Sequence, residues 1–153
     1  MPRFLLSASL ALIASLFAGC TASSAPTTAL GSVRKVFVQD TLGSGVAEAD
    51  ALANVVHDAS VHELAHLGYV ATRTPGEAQA TLRSSWRVSR AGDGRVSLAL
   101  SQSLFDVGGH RLMTTDSGTT LSVNFWNEAA VQRAVEQALA RLPKVAPAAS
   151  AQK

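Results

Sequence analysis

The sequence predicts an α+β two-layer sandwich, with a mostly antiparallel sheet covered by two helices on one face. Three observations predict it. Two segments, one early and one near the end, carry apolar residues at helical spacing. Between them lie stretches that alternate apolar with polar residues and are separated by glycine-containing turns. A short β-branched run precedes the first helix, so the order reads β-α-β, then a three-stranded meander, then α.

Each element has its own signal. Val33-Arg34-Lys35-Val36-Phe37-Val38, bounded by Gly31 and Asp40, reads as a strand, and Gly43 and Gly45 as the loop after it. From Ala47 to Leu67 the period becomes helical, with Leu52, Val55, Val56, Ala59, Leu64 and Leu67 as its stripe and Gly68 placed to stop it. Tyr69–Thr72 reads as a short strand and Pro75-Gly76 as a turn. In Ala80–Ser89, Leu82, Ser84, Trp86 and Val88 face one way, and Arg83, Ser85 and Arg87 the other. Ala91-Gly92-Asp93-Gly94 signals a hairpin. Val96, Leu98, Leu100 and Leu104 then alternate with Ser97, Ala99, Ser101 and Ser103, and His110–Thr115 returns after a turn at Asp106–Gly109. Leu121, Val123 and Phe125 are expected to add a short strand. Asn124 or Asn127 caps a final helix, whose stripe is Val131, Val135, Ala138, Leu139 and Leu142.

Composition narrows the function. The chain has 153 residues, enough for one domain, and 47% of them are hydrophobic. Its 13 basic and 11 acidic side chains leave a formal charge of +2, which provides no footprint for nucleic acid. The single Cys excludes an intrachain disulfide.

The first residues, MPRFLLSASLALIASLFAGC, read as an address. Arg3 supplies the positive start, Phe4–Phe17 the apolar run, and Ala18-Gly19 the small residues before Cys20. The ending Phe17-Ala18-Gly19-Cys20 resembles a bacterial lipobox, with Phe17 where Leu is commoner. The resemblance implies a lipoprotein signal peptide over residues 1–19, and diacylglycerol and palmitate on Cys20. It also implies an outer-membrane lipoprotein facing the periplasm, because Thr21 stands where Asp would mark inner-membrane retention. Residues 20–32, rich in Thr, Ser and Ala, read as a tether, 33–142 as the α+β domain, and 143–153 as a disordered tail. About twelve tether residues reach no more than ~40 Å when fully stretched, so the domain is expected close to its membrane.

Residues 62–66 are His62-Glu63-Leu64-Ala65-His66, a match to HExxH. Histidines at i and i+4 on a helix share a face and can bind Zn²⁺, while the Glu can act as base toward metal-bound water. A catalytic zinc needs a third protein ligand. The metzincin pattern would place Gly and His where Tyr69 and Thr72 stand. For a thermolysin-like arrangement the nearest candidate is Asn127-Glu128, followed by Val131-Gln132 where Ser-Asp belongs. On the helical wheel His62 and His66 fall at the edge of the apolar sector, beside Asn54 and Asp58. They are therefore expected to point along the rim toward water, as two exposed histidines or an incidental surface metal site. The competing reading is a small zinc metallopeptidase using His62, His66 and Glu63.

The remaining candidates are weaker in chemistry. His57 is expected as a satisfied residue at the core edge, and His110 begins a strand after Gly108-Gly109. Neither a G-x-S-x-G nucleophile turn nor a glycine-rich phosphate loop with Lys occurs in the sequence. Trp86 and Trp126 are expected as core anchors. Arg83 and Arg87 lie on the polar face of their strand, either as part of a partner-binding surface or as a solvated sheet face.

Leu64 with Gly68-Tyr69, then Ala78-x-Ala80-Thr81-Leu82, a serine-rich strand and Asp106-x-Gly108-Gly109 form a spacing pattern over residues 33–142. It resembles small envelope lipoproteins with a domain similar to the TolB amino-terminal domain, the CsgG curli-secretion lipoprotein and the Lpo-type activators of penicillin-binding proteins. The resemblance implies a binding module of the cell envelope without a cofactor or chemistry of its own, contacting a protein or glycan partner. A structural subunit packing into a ring or complex is a third reading.

Overall fold

The computed structural model describes residues 29–146. Cys20, the signal segment and most of the tether lie outside them. The fold is α+β, with a five-stranded mixed sheet that is mostly antiparallel, and three helices. The elements run β1 (Lys35–Val38), α1 (Ala47–Asp50), α2 (Ala53–His66), β2 (Val70–Thr72), β3 (Ala80–Arg90), β4 (Val96–Asp106), β5 (Arg111–Ser122) and α3 (Glu128–Leu139). The strands lie side by side as β2-β1-β3-β4-β5.

The short strands pair in parallel and the long ones antiparallel. β1 pairs in parallel with both β2 and β3, with Lys35 beside Val70 and Val36 beside Ala80. β3, β4 and β5 form the meander, in which Ala80 faces Asp106 and Trp86 faces Leu100. One row of the sheet therefore joins the start of β1, the start of β3, the end of β4 and the start of β5. α2 and α3 pack on each other. α2 also touches β1 and β2, and α3 touches β4 and β5.

Three details depart from the sequence reading. The first helix is two helices, broken at Ala51–Leu52. Asp50 accepts bonds from the Ser44 amide (2.7 Å) and hydroxyl (2.9 Å), which ties α1 back to its own loop, and the chain starts a new helix beyond it. Val123–Phe125 form a single 3₁₀ turn, not a strand. β4 begins at Val96 and its last partner is Ser122, so residues beyond 122 have no ladder to join. Pro143 and Val145, read from sequence as tail, are held. The Pro143 carbonyl accepts from the Tyr69 hydroxyl (2.9 Å), and the Val145 amide donates to Leu67 (2.8 Å).

Gly68 ends α2 as its position predicts. Its φ is +89°, the Gly68 amide bonds Ala65, and the Tyr69 amide reaches back to Leu64. This is the Schellman arrangement, which satisfies the last carbonyls of the helix. A Cβ at Gly68 would run into the Val145 carbonyl. At the other helix Asn127 is the cap, its side-chain oxygen accepting from the Ala130 amide at 2.9 Å.

The core is continuous. Val36, Val56, Leu64, Leu82, Leu98, Leu100, Leu104, Val131, Val135 and Leu139 are fully buried in one cluster. Trp86 and Trp126 meet edge to face, with ring centroids 4.9 Å apart. Trp126 also donates its indole N–H to the Leu98 carbonyl (3.3 Å).

Candidate functional site

Helix α2 carries the HExxH pattern. Val56, Ser60 and Leu64 are its buried face. The periodicity that buries them turns His62 and His66 outward, and both are exposed. Glu63 is half-buried, and its Oε2 lies 3.6 Å from His66 Nδ1 on the next turn. These three residues line an open depression with Glu136 of α3. Among the described residues no group of three or more His, Cys, Asp or Glu comes together closely enough to hold a metal ion. Glu128, the sequence candidate for a third ligand, begins α3, and the acidic residue that faces the motif is Glu136, two turns later. The pairing of α2 with α3 decides this, and no local pattern announces it.

A second depression lies where the parallel pair β1 and β2 ends. Phe37, Val38, Ala71, Thr72 and Arg73 form one wall, and His57, Asp58 and Val61 of α2 the other. His57 is less satisfied than its sequence position suggests. Its Nδ1 is buried without a hydrogen bond, 3.8 Å from Asp40 Oδ1. The mouth of a parallel βαβ unit is a common place for a crevice.

Arg83 and Arg87 are exposed and each is engaged within the domain. The Arg83 guanidinium lies 4.6 Å from the centre of the Phe105 ring. Arg87 Nη1 is 3.3 Å from Asp116 Oδ2. At the β4–β5 turn, buried Asp106 accepts the His110 amide (2.8 Å) and sits 3.2 Å from its ring Nδ1.

The sequence reading missed a buried polar cluster behind α2. Gln102 of β4 is fully buried, and its Nε2 donates to Ser60 of α2 (2.8 Å) and Ser84 of β3 (3.1 Å). Ser60 in turn donates to the Val56 carbonyl (2.7 Å). Its signal was the gap between Leu100 and Leu104, which places Gln102 on the core face. The arrangement fixes the register of helix against sheet and leaves no reactive group facing solvent.

The electrostatics are modest. The Ser44 amide and hydroxyl hold the Asp50 carboxyl below its usual range. Burial raises the Tyr69 hydroxyl above its ordinary value of 10.0, and the nearby Arg34 charge opposes this.

No family model and no curated protein matches the sequence. Solved structures do match in fold. The PelC dodecamer from Paraburkholderia phytofirmans superposes with a TM-score of 0.51 at 14% identity, over 79% of this chain and 94% of its own. A substituted form of the same protein gives 0.50 at 14% identity, over 78% and 96%. A minor lipoprotein from Acinetobacter baumannii matches more distantly, with a TM-score of 0.41 at 13% identity over 74% and 98%. The chain thus shares the PelC fold across almost the whole PelC chain. Among the described residues no helix is long and apolar enough to cross a membrane.

Proposed function

We propose that this protein is a non-catalytic accessory lipoprotein of the cell envelope. It is anchored by lipid on Cys20, faces the periplasm from the outer membrane, and works through surface contacts with a protein or glycan partner. The observation that carries this reading is how α2 is spent. The helix with the sequence's HExxH motif uses its packed face to hold the sheet, and its histidines lie on an open surface with Glu63 turned against His66. The lipobox-like ending at Cys20 supports the anchor. The resemblance read from the spacing over 33–142, to TolB-, CsgG- and Lpo-type domains, is the sequence argument for a binding role.

A second reading, in which the partner is another copy of the same chain, has one observation in its favour. The solved protein whose fold it shares is a dodecamer. β5, at the sheet edge, carries register irregularities at Ala99/Ser101 and Leu104/Phe105 of its ladder with β4. Such bulges discourage simple strand addition at an edge. Self-assembly would therefore use side-chain surfaces.

Mass analysis of Cys20 in the envelope fraction, zinc analysis of the purified chain and light scattering test the proposal together. Lipid on Cys20 and no stoichiometric zinc are expected. Tight one-to-one zinc that disappears in His62→Ala would instead restore the peptidase reading. A multimeric mass would favour the ring over a foreign partner.

A further inference from the structure

The two ends of the sheet differ in charge, and the chain enters at the basic one. Ala29 to Arg34 lead into β1, and the Arg34 carbonyl accepts the Val70 amide at the start of β2. The same end holds the start of β3, the β4–β5 turn and the close of α3, because Val36 aligns with Ala80, Ala80 with Asp106, and Val145 bonds Leu67. Five basic side chains gather there: Arg34, Lys35, Arg111, Arg141 and Lys144, all exposed. The acidic residues at this end are Glu77 and Asp106, with Glu63 and Glu136 on the last turns of α2 and α3; Asp106 is buried against His110, and Glu63 lies against His66. The opposite end reverses the balance, with Glu48, Asp50, Asp93 and Glu128 against Arg90 and Arg95, and Arg95 is paired to Asp93 at 2.7 Å.

The basic end also exposes apolar side chains. Val107 at the tip of the β4–β5 turn is 76% exposed, and Val70 at the sheet edge is 56% exposed. A large aliphatic side chain at the tip of a hairpin, rimmed by arginines and lysines, is the pattern of an interfacial contact with lipid headgroups.

We propose that this end of the domain rests on an anionic bilayer surface. Val107 and Val70 enter the headgroup layer, and the five basic side chains lie against lipid phosphates. Eight residues separate Cys20 from Ala29. Fully stretched they span no more than about 30 Å, so a lipid on Cys20 keeps the basic end nearest the membrane. The inference rests on the anchoring reading for this orientation. The contact itself follows from the charge and apolar pattern, so the test has an arm without the lipid.

The full mature chain carrying Cys20→Ser is mixed with phosphatidylcholine vesicles, with and without phosphatidylglycerol, at low salt. It is expected to bind only the anionic vesicles and to be released by salt. Each of Lys35→Glu, Arg111→Glu and Lys144→Glu should weaken binding at least about fivefold, the effect expected of one basic residue near an anionic surface. Arg90→Glu makes the same charge change at the far end and should leave binding unchanged. In the same background, Val107→Cys and Leu42→Cys each provide a single labelling site. A polarity-sensitive dye at 107 should shift to the blue on the vesicles and be quenched by headgroup-labelled lipid, and a dye at 42 should not. Equal responses at the two positions, or equal losses from Arg90→Glu and Arg111→Glu, would overturn the proposal. If Cys20 carries no lipid in cells but the 107 label still enters the vesicles, the anchor reading falls and this inference stands. If Cys20 is lipidated and the 107 label stays in water, the reverse holds.

Discussion

Helix α2 carries two sets of residues on its two sides. On the outer side His62, Glu63 and His66 match the spacing of a zinc motif, and the structure leaves both imidazoles open to solvent. On the inner side Val56, Ser60 and Leu64 match no chemical motif, and they lock the helix to β3 and β4 through Leu packing and the Ser60–Gln102–Ser84 bonds. The lesson is that i, i+4 spacing is a property of any helix. A metal centre needs donors from elsewhere in the fold converging on that face. The inner side shows such convergence, among residue types that build cores.

The contrast can be broken by mutation, and the largest effect belongs to the inner face. Leu64→Ala should cost about 2–5 kcal/mol in denaturant unfolding, because it opens a cavity at a fully buried site. Its neighbours His62→Ala and His66→Ala should each stay within about 0.5 kcal/mol, as exposed substitutions do. A loss from His62→Ala as large as that from Leu64→Ala would mean the outer face is structurally engaged in a way the geometry does not show.

Gly68→Ala comes next. The left-handed backbone alone costs about 1–3 kcal/mol, and the added methyl must displace the Val145 carbonyl. Unfolding curves would show whether the 143–146 segment is part of the cooperative unit: if it is not, its release relieves the clash and Ala at 68 costs only the backbone strain.

Ser60→Ala sharpens the comparison at the level of single bonds. It strands one Gln102 N–H in the core and should cost about 1–3 kcal/mol. The pair Ser60→Ala with Gln102→Met replaces both partners by apolar groups of similar reach. It should cost less than the two single changes added together, and strict additivity would show that the bond carries no coupling.

A smaller loss than at Ser60 is expected at the helix's end, at the single tyrosine. Tyr69→Phe removes the bond to Pro143 and should cost about 1 kcal/mol. Burial disfavours the phenolate, so the folded pKa lies above the unfolded value of 10.0. The corresponding stability is complete below pH 10.0 and is lost as pH rises through the folded value. Absorbance titration reports this residue alone, and a midpoint at or below 10.0 would contradict the burial argument.

Local pattern carried much of the architecture. The alternation in β3 and β4, the Ala91–Gly94 hairpin, the stop at Gly68, the Asn127 cap and the stripe of α3 all rest on periodicity or turn chemistry within a few residues of each other. The Ala51–Leu52 break lies just beyond two bonds from Ser44 to Asp50, which spacing does not reveal. The end of β5 depends on where its partner begins. The site was less legible for the same reason. Glu136 lines the same depression as His62 and His66, and Gln102 bonds Ser60, across sequence gaps that only helix packing closes.

Neighbours along the chain encode most of the helices and strands, the apolar face of each, and the lipobox-like ending at Cys20, since periodicity and turn chemistry act over a few residues. Packing alone set which polar groups come together, which arginines are already engaged with Phe105 and Asp116, and which charged residues share an end of the sheet. Those are distances between residues far apart in sequence. They are set by how the core packs, and no local spacing records them.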